Sequence, residues 1–266
     1  MRVALAFVRR DFLIAISYKA AFAVGFLGVF FNVGVGYYLG EAFAGFSPSL
    51  ALAPGGVFPF LLLGIAFVDY QAVSLKVFSD SIREAQLTGT LEILMVSPVG
   101  FPWLLLCSSL WGYLFTSVRF VAYLVLGALL FRLDVGGANL PGAVLVLALS
   151  IVCFAGMGIL LASLIILFKR GDSLNLLLGG ATMLLGGVVY PIAVLPGWVQ
   201  GLAALLPFTH ALEGMRQAIL WGYGLTALLP TLGKLMGLAL VLLPSGLLAV
   251  RVAVDRGRLT GTLGDY

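Results

Sequence analysis

"LPGAVLVLALSIVCFAGMGILLASLIILF", Leu140–Phe168, contains no charged residue, no His and no side-chain amide. A helix needs about 20 such residues to cross the ~30 Å hydrocarbon core of a bilayer, and this run exceeds that length. Buried strands are far shorter, typically four to eight residues. In lipid the backbone must satisfy its own hydrogen bonds, and a single apolar run does so as a helix. The rest of the chain agrees. It is 62% hydrophobic and only 10% charged, with a mean hydropathy of +1.14, whereas soluble domains carry about 25% charged residues. The fold class is therefore all-α integral membrane.

Working outward from Leu140–Phe168, the polar turn Lys169–Ser173 follows on the carboxyl side. Gly171 suits the end of one helix, and Asp172 or Ser173 the cap of the next. Beyond it, Leu174–Val194 has the length of a span, with Pro191 near its end. Upstream, Ala20–Leu39, Val57–Leu75 and Phe101–Phe131 qualify, the second containing Asp69 and the third Arg119. Leu225–Val250 completes the set and contains Lys234, placed to snorkel to the interface. The expectation is six transmembrane helices in a single membrane domain covering 1–266. Cys107 and Cys153 both fall in apolar runs and read as small packing residues.

The cations orient the spans. With the amino terminus inside, Arg2, Arg9, Arg10, Lys19, Lys76, Arg83, Lys169, Arg170, Arg251, Arg256 and Arg258 face the cytoplasm, and only Arg132 and Arg216 lie outside. The positive-inside rule puts both termini in the cytoplasm of a cell whose inner (plasma) membrane holds the chain as a multi-pass protein. Residues 1–19 carry charges at Arg9, Arg10 and Asp11, where a signal peptide would need an apolar core. They read as an amphipathic interfacial helix. Residues 191–224 are too apolar for a watery loop, and Pro191, Pro196 and Pro207 break them into pieces. They read as short outer re-entrant helices, with Trp198 and Trp221 at the interface.

Residues 79–100, "SDSIREAQLTGTLEILMVSPVG", form a cytoplasmic loop of their own design. Lys76, Asp80, Arg83 and Glu84 have helical i,i+3 and i,i+4 spacing, so the second span continues into water. Gly89 ends it and Thr90 caps a new helix. Glu92 sits in the first turn of that helix, where the dipole favours an anion. Leu91, Leu94 and Met95 share a face, and Ser97-Pro98 closes the segment. On the residues alone the stripe packs on its own bundle, on lipid headgroups or on another protein.

The segment "LTGTLEILMVSPV" resembles the loop between the second and third spans in type-2 permeases of ATP-binding-cassette (ABC) exporters, where a "GTLE…SP" pattern marks the coupling helix. "LPGWVQGLAALLPFTHALEGMRQAI" resembles the same family's segment before its last span. The resemblance covers nearly the whole chain. It implies a pathway formed with a second permease subunit, identical or a paralogue, and two copies of a separate ABC ATPase beneath. Gly89, Thr90, Leu91, Glu92, Leu94 and Met95 would meet that ATPase, with the Lys169–Asp172 turn as a smaller contact. ATP and Mg would sit on the partner. The chain has no G-x-x-x-x-G-K-[ST] loop, since Gly233-Lys234 lacks the upstream glycine. No cofactor, metal or nucleic acid is expected on it; the lipid bilayer is its other partner.

Buried ionisable groups in lipid are functional candidates. Asp69 lies twelve residues from Val57 and Arg119 twelve from Phe131, each about 18 Å from the outer surface. The two are expected to pair and to fix helix register rather than contact substrate. From the cytoplasmic ends, however, their depths differ, because Phe101–Phe131 is much longer than Val57–Leu75. His210, Glu213 and Arg216 are spaced to share a helical face beneath the outer surface. A hydrogen-bonded structural cluster is favoured there over a proton relay or substrate site. Asn32, Tyr37, Tyr38, Ser150 and Ser163 are candidate pathway residues. Gly36-x-x-x-Gly40 and Gly233-x-x-x-Gly237 match a helix-packing pattern.

The function expected is export of an amphipathic or lipid-linked substrate such as a drug, glycolipid or polysaccharide. An ion- or proton-coupled secondary transporter is the alternative; it would show inverted halves and spans broken near mid-membrane. An intramembrane enzyme would need convergent catalytic groups, and one His with scattered carboxylates supplies few.

Overall fold

Two helices are enclosed by the others, and they define the molecule. In the computed structural model, which describes residues 2–44, 55–90, 100–131, 133–168 and 171–260, these are α3 (Val57–Leu87) and α5 (Leu140–Phe168). Of their most apolar windows, 72% of α3 and 56% of α5 is buried inside the chain, against 17–28% for the outer spans. Around them stand α1 (Arg2–Ser17), α2 (Lys19–Ala44), α4 (Phe101–Phe131), α6 (Gly171–Leu185) and α9 (Leu225–Thr260). Two short helices, α7 (Gly197–Ala203) and α8 (Pro207–Ile219), precede α9. The described residues hold no strand.

The core is aromatic where α3 meets its neighbours. Phe67, Tyr70, Phe78, Tyr123, Phe154 and Phe208 are all fully buried. Phe67 meets Phe120 edge-on at 5.5 Å between centroids, and Phe154 stacks on Phe208 at 6.3 Å. Glycine sets the crossing of α5 and α9, the most extensively packed pair. A Cβ on Gly156 would lie 2.6 Å from the Leu242 carbonyl carbon, and one on Gly246 2.7 Å from the Gly156 oxygen. Without side chains there, the two backbones touch, and dispersion contacts replace the hydrophobic drive that lipid cannot supply.

Five described helices are long and apolar enough to span: Phe22–Phe43, Val57–Ala85, Phe101–Phe131, Leu140–Leu164 and Leu225–Arg256. The run expected to span over Leu174–Val194 takes another form. Helix α6 has 15 residues, about 22 Å at 1.5 Å per residue. It stops at Gly186-Gly187, where Gly187 adopts φ +73°, and the chain continues through a 3-10 turn at Ile192–Val194 after Pro191. Two consecutive glycines end the helix before the proline does.

Helix α1 packs on α4, with Phe12 edge-on to Trp111 at 5.4 Å. Leu5, Leu13, Ile14 and Ile16 remain exposed, and Arg9 and Arg10 share the surface with them. The end of the bundle that holds α1 and the carboxyl half of α3 is the basic end. At the opposite end the connections lock together: Asn139 donates from its backbone to Ala218 O at 2.8 Å and from its side chain to Tyr223 O at 2.7 Å.

Candidate functional site

At the basic end α3 continues to Leu87, twelve residues past the expected end of its span at Leu75, and stops at a defined turn. Thr90 N–H donates to Ala85 O at 2.9 Å, Thr88 N–H to Glu84 O at 3.0 Å, and Gly89 stands between them at φ +66°. This is a Schellman-type stop, which satisfies carbonyls the helix end would orphan and needs a residue free to adopt positive φ. Thr88 and Thr90 hydroxyls also bond each other at 2.8 Å. Gly89 and Thr90 are exposed at the tip. Leu91, Glu92, Leu94 and Met95, and with them the expected short helix, lie outside the described residues.

Further along α3, Asp69 meets Arg119. The guanidinium donates to Oδ1 at 3.0 Å and lies 2.8 Å from Oδ2, with the two side chains only 20% and 16% exposed. The depth mismatch disappears because α3 continues to Leu87. Each residue stands twelve positions from one helix end and eighteen from the other. Asp69 also tops a polar stripe. Lys76, Asp80 and Glu84 of α3 line one groove of about 490 Å³ with it, joined by Arg10 and Asp11 from α1 and Ser108 from α4. The spacing of seven, four and four residues put Asp69 on that helical face in the sequence too. Helical i,i+3 and i,i+4 spacing of charges also marks ordinary helix stabilisation, so on its own it does not single out this face.

The opposite end holds His210, Glu213 and Arg216 on α8. All three line one cavity of about 530 Å³, yet each bonds elsewhere. His210 Nε2 is 2.9 Å from Ala204 O. Glu213 accepts from Gln217 at 3.1 Å. Arg216, 3% exposed, donates to Gly187 O at 2.8 Å, Phe60 O at 2.9 Å and Val188 O at 3.1 Å, and its guanidinium carbon sits 3.3 Å from the Phe60 ring centroid. The break after α6 is thus tied to α3 by one side chain on α8. Gly64 makes room for it, since a Cβ there would lie 2.7 Å from Val188 O.

The candidate pathway residues are mostly occupied in helix contacts. Asn32 donates to Tyr123 OH at 3.0 Å, and Tyr37 stacks on Phe131 at 4.2 Å. Ser150 and Ser163 donate to carbonyls of their own helix, Val146 O and Leu160 O, each at 2.6 Å. Tyr38 and Lys234 are exposed. Two buried polar contacts had no sequence signal beyond a polar residue in an apolar run: Gln71 to Thr182 at 2.9 Å, joining α3 to α6, and Tyr70 with Ser117 at 2.9 Å, joining α3 to α4.

Long apolar helices around two enclosed ones, with polar groups held in pairs between them, define a multi-pass helical membrane protein. Residues 5–220 match the model of the ABC-2 type transporter family, and the chain belongs to that family. It is also similar to the linearmycin resistance permease protein LnrN of Bacillus subtilis (strain 168), at 30% identity over 112 residues. That stretch is 42% of this chain and 29% of the relative, so the chain spans less than a third of the curated relative it matches.

Proposed function

We propose that this chain is the permease subunit of an ATP-driven ABC exporter. It forms the pathway with a second permease, identical or paralogous, and takes its work from two copies of a separate ATPase that binds ATP and Mg. The observation that carries this is α3. It runs unbroken from Val57 to Leu87 and ends in a capped turn at Gly89, directly before the segment that resembles a coupling helix. A rigid helix running from an interhelical ion pair to an exposed tip suits the transmission of force. The basic end then faces the cytoplasm, both termini are inside, and the membrane is the plasma membrane. Helix α6 with residues 186–194 completes a sixth crossing, and α7 and α8 lie in the outer leaflet. Residues 1–19 form the interfacial helix. A relative named as a resistance permease supports a drug, rather than a glycolipid or polysaccharide, as cargo.

The test combines topology and capture. A cysteine placed at Thr90 should react with an impermeant maleimide only when the cytoplasmic face is open, and the tagged chain should co-purify with an ATPase subunit. Labelling from outside intact cells, or purification without any nucleotide-hydrolysing partner from cells that carry the activity, would overturn the proposal.

A further inference from the structure

We infer that the groove between α1 and α3 binds a cationic amphiphile, with its charge held by Asp80 and Glu84 and its apolar body against Phe7 and Phe101. This goes beyond the transport proposal. It rests on neither the direction of transport nor an ATPase.

Helix α3 is enclosed over most of its surface, yet one stripe of it is open. Ala72, Lys76, Asp80 and Glu84 are exposed and line the groove of about 490 Å³, so a ligand there meets these side chains directly. Four carboxylates border the groove, and two are already neutralised: Asp11 by Arg10 at 2.7 Å and Asp69 by Arg119 at 2.8 Å. That leaves Lys76 against Asp80 and Glu84, an excess of negative charge. Among the described residues, the Asp80 and Glu84 carboxylates have no ion-pair or hydrogen-bond partner. They stand four positions apart, a spacing at which like charges oppose the helix. Lys76 lies one turn from Asp80 and two from Glu84, so it can relieve one carboxylate and not both. A cation between the two carboxylates removes the conflict.

The apolar half of the site adjoins the polar half. A second cavity of about 460 Å³ shares Arg10, Ser81, Glu84 and Ser108 with the groove. Beyond these its wall is mostly apolar, with half-buried Phe7 from α1 and half-buried Phe101 from α4. Glu84 stands where the two spaces meet. A small inorganic cation would leave the apolar wall unused, and an anion would face the unpaired carboxylates. A cation joined to an apolar body fits both halves: burial of its apolar surface supplies affinity, and the carboxylates select its sign.

The test is equilibrium binding of radiolabelled tetraphenylphosphonium to the purified full chain in nanodiscs of uncharged lipid, without nucleotide or partner and with empty nanodiscs as background. A single saturable site per chain is expected. Tetraphenylborate, alike in shape and opposite in charge, should bind at least about tenfold more weakly when measured by itself. Tetramethylammonium, which lacks the apolar body, should fail to displace the probe. Asp80→Asn combined with Glu84→Gln, isosteric changes at exposed positions, should weaken binding at least about tenfold with elution and melting unchanged. Phe101→Ala should weaken it severalfold, and Glu213→Gln at the opposite end should leave it unchanged. Uptake no greater than by empty nanodiscs, equal affinity for the borate, or full affinity in the double variant would each overturn the inference. Failure to capture an ATPase would leave this binding intact, so the two proposals fail separately.

Discussion

Arg216→Ala should be among the most damaging single substitutions in this chain. The side chain donates to three carbonyls, Gly187 O, Val188 O and Phe60 O, and hydrogen bonds to a charged group are worth about 1.5–3 kcal/mol each. Their plain sum overstates the loss, because the guanidinium also carries a desolvation penalty that alanine removes. Removing the guanidinium leaves three buried carbonyls short of a donor, at about 1–3 kcal/mol each, and about 4 kcal/mol is expected here. Arg216→Lys keeps the charge but not the planar fork. It cannot reach carbonyls on both α3 and the break after α6 at once, so about half of that loss should remain. The assay is denaturant unfolding in micelles, followed by tryptophan fluorescence, with hydrogen exchange at Gly187 and Val188 as the local readout. Arg216→Ala within about 0.5 kcal/mol of the unaltered protein, or Lys equal to Arg, would refute the clamp.

Two further substitutions test the packing. Asp69→Asn leaves Arg119 without its counter-ion between the helices and should lower stability by about 2–4 kcal/mol. The exchanged pair Asp69→Arg with Arg119→Asp should recover at least half, read as the temperature at which monodisperse protein is lost in detergent. Gly156→Leu forces a side chain against the α9 backbone and should cost at least about 3 kcal/mol. Gly179→Ala, at a position with open space around it, should change stability by less than about 0.5 kcal/mol in the same assay.

Which helices form was legible because lipid leaves the backbone few options. The Asp69–Arg119 pair was legible because a charge in an apolar run needs a partner of opposite sign at matching depth. What faces what was not legible, since lipid and protein neighbours select the same apolar side chains. The glycine pairs show this. Gly36 and Gly40 pack against Ile65 and Phe58 of α3, while Gly233 and Gly237 have no atom within 4 Å of an added Cβ. The early stop of α6 was written in Gly186-Gly187 but masked by the proline beyond it. The spacing of His210, Glu213 and Arg216 points to a hydrogen-bonded cluster on one helical face; the three line one cavity, but their hydrogen-bond partners are backbone carbonyls and Gln217, which spacing on a single helix does not reveal. The coupling residues from Leu91 to Met95 stand on the resemblance in their sequence.

ATP turnover by the permease purified with the proposed ATPase partner, compared between the unaltered chain and Glu92→Lys, bears most directly on the proposed link between the loop and a motor. Reversing the charge at Glu92, in the segment that resembles a coupling helix, should abolish co-purification or cut permease-dependent turnover at least tenfold, while the permease alone elutes and melts as before. Full assembly and undiminished turnover with Glu92→Lys would contradict it.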